Sequence, residues 1–80
     1  MRPKAQRPTY YAEIWRQFGF WVGRVINASA GAPPYPFNLM AQCERYDEIE
    51  SRVRQLIATE TGHPPGSFDI EYFYQPLDIK

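Results

Sequence analysis

The chain has 80 residues, enough for one small domain and too few for a second. Its nine basic and nine acidic side chains balance to zero net charge, which argues against a general nucleic-acid binder with a basic excess over a whole face. A single cysteine excludes a disulfide framework. No apolar run nears the ~20 residues of a bilayer span, and the basic opening residues lack the apolar stretch of a signal peptide, so a reducing cytoplasm is the expected location.

A domain of this size buries only roughly 60% of the surface its unfolded chain exposes. Six tyrosines, five phenylalanines and two tryptophans compensate by removing large apolar areas from water. A thin core with sheet edges also gains stability from another chain, so a homo-oligomer, most simply a homodimer, or a protein partner is expected. Charge is unevenly divided: residues 1–40 carry five basic and one acidic side chain, residues 41–80 four basic and eight acidic. That division matters only if the fold separates the halves in space.

Residues 1–8 hold Arg2, Lys4 and Arg7 with two prolines, and read as a flexible basic arm. Thr9 to Arg16 is dense in strand-forming residues, with Ala12 and Ile14 on one face and Tyr11, Glu13 and Trp15 on the other. Gln17-Phe18-Gly19 supplies a tight turn in which Gly19 takes positive φ, and Phe20 to Ala28 returns as the second strand of a hairpin. Asn27 to Asn38 contains Gly31, Pro33, Pro34 and Pro36 and reads as a loop with extended stretches. Leu39 to Cys43 gives a short third strand, with Leu39, Ala41 and Cys43 on one face.

Tyr46 to Thr61 is the helix of the sequence, because Ile49, Val53, Leu56 and Ile57 form one apolar stripe. Asp47, Glu48 and Glu50 suit its positive end, and Gly62, Pro64 and Pro65 stop it. Ser67 to Tyr74 closes the domain as a fourth strand, Phe68, Ile70, Tyr72 and Tyr74 facing one way and Asp69, Glu71 and Phe73 the other. The domain spans 9–76, and 77–80 are a tail. The order is β-β-β-α-β, an α+β domain in which the helix crosses over to set strand four parallel to strand one. One helix on one sheet covers Ala12, Ile14, Leu39, Ala41, Phe68 and Ile70. The face of Tyr11, Trp15 and Phe73 is left without a second layer.

Three stretches carry a family likeness: Tyr11-Ala-Glu-Ile-Trp-Arg with Gly19-Phe-Trp-Val-Gly-Arg-Val; Ala41 to Ala58, with its Glu-rich start and Arg-Gln-Leu-Ile-Ala ending; and Pro65-Gly-Ser-Phe-Asp-Ile-Glu. Over roughly Thr9 to Tyr74 the chain resembles the core domain of the HicB antitoxin family. That resemblance implies a binding protein that covers the active surface of a small RNA-cleaving toxin of the HicA type. Many members also carry a C-terminal DNA-binding segment. Here the chain ends six residues after Tyr74, so operon repression is not expected. The loop holding Ala32-Pro-Pro-Tyr-Pro-Phe is also longer than the family's short turn.

Residues that would carry catalysis are sparse. His63 lies in a Gly-His-Pro-Pro-Gly turn with no second imidazole, and reads as an exposed loop residue. Cys43 points inward as a small hydrophobe. Glu13, Asp69 and Glu71 share the open face on adjacent strands, where an acidic patch for a basic partner is favoured over a metal site. Arg16, Arg24, Trp15, Trp21 and Tyr11 interleave cations with aromatics along the hairpin; together with Arg2, Lys4 and Arg7 they form the alternative, a surface for single-stranded RNA or DNA. Ordinary cross-strand packing explains the same residues. Tyr35 and Phe37 either form a knob for a partner or fold back over the uncovered face.

The expected protein is therefore a non-enzymatic binder without cofactor or metal. It is read as a bacterial or phage HicB-like antitoxin, or a mobile-element inhibitor of a host protein. Its partner surface is Tyr11, Glu13, Trp15, Tyr35, Phe37, Asp69, Glu71 and Phe73.

Overall fold

The computed structural model describes residues 7–75. Arg2, Lys4 and most of the basic arm lie outside the described residues, as does the tail at 77–80. The described chain forms β1 (Thr9–Gln17), β2 (Phe20–Ala28), β3 (Met40–Cys43), a 3-10 turn at Tyr46–Glu48, α1 (Ile49–Thr61) and β4 (Asp69–Tyr74). The domain is α+β, with a four-stranded mixed sheet in the order β3-β2-β1-β4 and α1 packed on it. β4 runs parallel to β1, as the crossover requires, and the other neighbours are antiparallel. No helix among the described residues is long and apolar enough to cross a membrane.

Local chemistry places the boundaries. The β1–β2 hairpin closes in two residues, and both take positive φ: 53° at Phe18 and 81° at Gly19. That pair of angles is the primed turn whose twist matches a hairpin. Further along the hairpin the register shifts between Tyr11 and Ala12, leaving Ile26 as the extra residue of a bulge in β2. β3 starts at Met40 rather than Leu39, because Asn38 at φ 64° breaks the extended chain. Leu39 is still buried, and its carbonyl accepts from the Val25 N–H at 3.0 Å.

The regular helix starts at Ile49, three residues later than its stripe and acidic start imply. Tyr46 is held aside, edge-on to Trp21 with ring centroids 5.0 Å apart and 5.9 Å from Tyr74, and the chain tightens into a 3-10 turn. Gly62, at φ 75°, ends the helix with its N–H on the Ala58 carbonyl. β4 begins at Asp69, not Ser67, because the Ser67 N–H and hydroxyl both donate to the Pro64 carbonyl in a turn.

The core lies between α1 and one face of the sheet. Ile49, Val53 and Ile57 of the stripe are fully covered, and Leu56 is half-buried at its margin. Tyr10, at 0% exposure, anchors the far end: its ring meets Phe68 and Tyr35 edge-on at 5.4 and 5.9 Å, and its hydroxyl donates to the Pro33 carbonyl at 2.8 Å. This draws the proline-rich loop against the helix side. Tyr35 therefore packs on the core and does not fold back over the uncovered face.

α1 crosses β2 at Gly23. A Cβ there would stand 2.5 Å from Val53 Cγ2 and 3.0 Å from Ile14 Cδ1. The stiff, β-branched Val53 cannot swing away within a helix. Gly23→Ala should destabilise the domain by about 1–3 kcal/mol in urea unfolding, despite the usual gain of replacing a strand glycine. Combined with Val53→Ala, the loss should fall short of the sum of the two single losses. Additive losses would show that the helix does not meet the sheet here.

Candidate interaction surface

Strand alternation and register define the face opposite α1. Trp15, Val22 and Gln42 stand side by side across β1, β2 and β3, as do Glu13, Arg24 and Met40. β4 adds Asp69, Glu71 and Phe73, paired with Thr9, Tyr11 and Glu13. Six of the eight expected partner residues (Tyr11, Glu13, Trp15, Asp69, Glu71 and Phe73) thus share this face. Tyr35 belongs to the helix-side core, and Phe37 projects from the loop at 90% exposure.

The face has two apolar zones with a polar strip between them. At the hairpin end, Gln17, Phe18, Phe20, Val22, Met40 and Gln42 line a shallow hollow of about 280 Å³. Val22 is its floor, only 4% exposed although no helix covers it, while Phe18 stands at the rim at 89% and Met40 at 47%. At the other end Tyr11 and Phe73 stack at 6.3 Å beside the bulge at Ile26. In the strip, Arg24 donates to Glu13 at 3.2 Å, its guanidinium lies 5.7 Å from the Trp15 ring centre, and the Gln75 amide donates to Glu13 at 3.0 Å. The Arg24 Nε–H is buried without an acceptor among the described residues.

The carboxylates are spread along the face. Glu13 is held by Arg24, and Asp69, four residues from the Phe73 that pairs with Glu13, is bridged by Arg7 at 3.0 Å. Among the described residues no three His, Cys, Asp or Glu side chains converge on a point that suits a metal ion. Cys43 is buried and donates to the Arg45 carbonyl at 3.2 Å; His63 is exposed in its turn.

The cations and aromatics of the hairpin do not make one surface. Arg16 lies 5.8 Å from the ring centre of Trp21, which packs against the helix-side core, whereas Arg24 and Trp15 pair on the opposite face. Arg7 is tied to Asp69 and the Phe68 carbonyl at the bottom of β4. The interleaved pattern is cross-strand and diagonal packing divided between two sides of the sheet. The basic and acidic halves are likewise interleaved, since Arg7 meets Asp69 across the β1–β4 boundary.

Phe18, Phe20, Val22, Met40, Gln42 and Ile26 were not among the residues expected on the surface. Parity along β2 and β3 identifies the strand residues once the hairpin register is set. Phe18 carries its own signal, a bulky aromatic at a turn position that favours Asn or Gly. Compared with protein-family models, curated proteins and solved structures, the chain matches none.

On the helix side, burial raises the ionisation of Tyr10 and Tyr72, and burial followed by a 2.6 Å hydrogen bond to Glu50 raises that of Tyr74 well above the usual tyrosine range. Unfolded tyrosines ionise near pH ~10, before the folded ones, so the unfolded chain then binds fewer protons and stability falls as pH rises further. The contribution is complete at neutral pH. The urea midpoint should decline above pH ~10, and less steeply in Tyr10→Phe/Tyr74→Phe. An unchanged slope in that double variant would rule out these groups as the cause.

Proposed function

We propose that this chain is a non-enzymatic binding protein that acts through its uncovered sheet face, in the manner of a HicB-type antitoxin covering a HicA-type RNA-cleaving toxin. In a phage or mobile element, the same face would occlude another host protein. The β-β-β-α-β order supports the reading, because a single helix covers one side of the sheet only. The observation that carries it is Phe18. A two-residue turn at φ 53° strains any side chain other than Asn or Gly, yet here it holds a phenylalanine 89% exposed beside an apolar hollow. An aromatic rim around a partly desolvated floor is the composition of a binding hot spot.

The buried free thiol of Cys43 fits a reducing cytoplasm as the site of action. The opposed ion pairs of Arg7 and Arg24 leave less support for a single-stranded nucleic-acid surface.

Phe18→Asn separates stability from binding. The substitution should leave the domain as stable or raise its stability by about 0.5–1 kcal/mol, since asparagine suits the left-handed turn. It should weaken binding to a HicA-type toxin by roughly 30-fold, the loss of a typical hot spot, in calorimetric titration. No complex with that protein, or one indifferent to both Phe18→Asn and Trp15→Ala, would overturn the proposal. Salt-sensitive binding of a single-stranded oligonucleotide would favour the nucleic-acid reading instead.

A further inference from the structure

The two edges of the sheet differ. β3 is four residues long and follows the kink at Asn38. β4 runs for six residues in unbroken register with β1, and Asp69–Tyr74 contains no proline, no lysine and no bulge. Those are the devices by which sheet edges are normally blunted. The charges of β4 are Asp69, which Arg7 bridges, and Glu71, so among the described residues β4 is the less guarded edge.

Hydrogen bonding fixes which of its groups point outward. The Asp69 N–H donates to the Pro8 carbonyl and the Gln75 N–H to the Ile14 carbonyl, each at 2.9 Å. In a parallel ladder alternate residues bond the same neighbour, so the odd-numbered residues of β4 face β1. Ile70, Tyr72 and Tyr74 turn their N–H and C=O groups away from the sheet. The preceding outward carbonyl, that of Phe68, is already taken by Arg54 at 2.9 Å and Arg7 at 3.1 Å. Among the described residues no comparable donor or acceptor meets the backbone of Ile70, Tyr72 or Tyr74.

We infer that β4 pairs antiparallel with β4 of a second copy of this chain, across a two-fold axis through Tyr72. The outward set is symmetric about that residue. Ile70 stands opposite Tyr74 of the second copy and Tyr72 opposite its own counterpart, so each outward N–H meets a carbonyl. An isologous contact requires that self-complementarity. On the helix side it matches an aliphatic with an aromatic side chain, a favourable cross-strand pair; on the uncovered side Glu71 faces Phe73 of the second copy. Zero net charge leaves no overall repulsion between copies. Two four-stranded sheets then become one of eight strands, with the two Tyr11–Phe73 stacks near its centre. The pairing is independent of the partner proposed above, because it uses the edge and leaves the uncovered face open.

The test uses the full chain. Light scattering of the unsubstituted protein should give the mass of a dimer. In a Cys43→Ala background, Glu71→Cys and Phe73→Cys place thiols on exposed positions that face each other as a non-hydrogen-bonded pair, with Cα atoms ~4.5 Å apart, close enough for a disulfide. Mild oxidation of the mixed variants should give roughly tenfold more disulfide-linked dimer than either variant alone, whose thiols would be diagonal neighbours. A monomeric mass at high micromolar concentration overturns the inference. So does cross-linking as efficient within one variant as in the mixture, or a dimer that links through Gln42→Cys on β3 instead.

Discussion

The closeness of α1 to β2 over Gly23 sets the rest of the structure. A Cβ at that position would lie 2.5 Å from Val53 Cγ2, so its absence lets the helix settle into the sheet. From there the Ile49–Val53–Ile57 stripe reaches Ile14 and Cys43 without a gap, and a short chain builds a dry core from few residues. Among the described residues this is the one helix of regular length, and its apolar stripe faces one side of the sheet. The other side of the sheet must be satisfied by its own side chains.

It is satisfied in part. Val22 is covered by its strand neighbours, and Glu13, Arg24 and Gln75 bond to one another across the middle. Phe18, Met40 and Phe73 remain substantially exposed at the two ends. Exposed aromatics gain by burial, and that supports the proposal that this face meets a protein surface. The positive φ at Phe18 points the same way, since a turn built for stability alone would hold a different residue.

Much of this was legible in the sequence, because it rests on short-range rules. The apolar stripe of α1, the alternation of β1 and β4 and the stop at Gly62 are local patterns, and they define the order of elements and six residues of the surface. What escaped depends on contacts distant in the chain. Tyr10 follows the same parity as Ala12 and Ile14, but its role as an anchor comes from Phe68 and the loop carbonyl of Pro33. That hydrogen bond decides where Tyr35 goes, which no periodicity reports. Trp21 and Trp15 read as one aromatic set along the hairpin, yet their even separation across the turn puts them on opposite faces once the two-residue turn fixes the register. The acidic residues 47 and 48 look like helix and instead form a 3-10 turn, because Tyr46 is drawn to Trp21 and Tyr74.

One face of the sheet is covered by the helix and the other is accessible. Paramagnetic line-broadening by a soluble, uncharged gadolinium chelate reads this directly in the NMR spectrum of the full chain. Resonances of Trp15, Phe18, Met40 and Phe73 should broaden strongly, while those of Ile14, Val53, Ile57 and Phe68 stay sharp. Protection of Trp15, Met40 and Phe73 equal to that of the Ile14 and Ile57 methyls would contradict the account, since it would mean that the face proposed for binding is already covered.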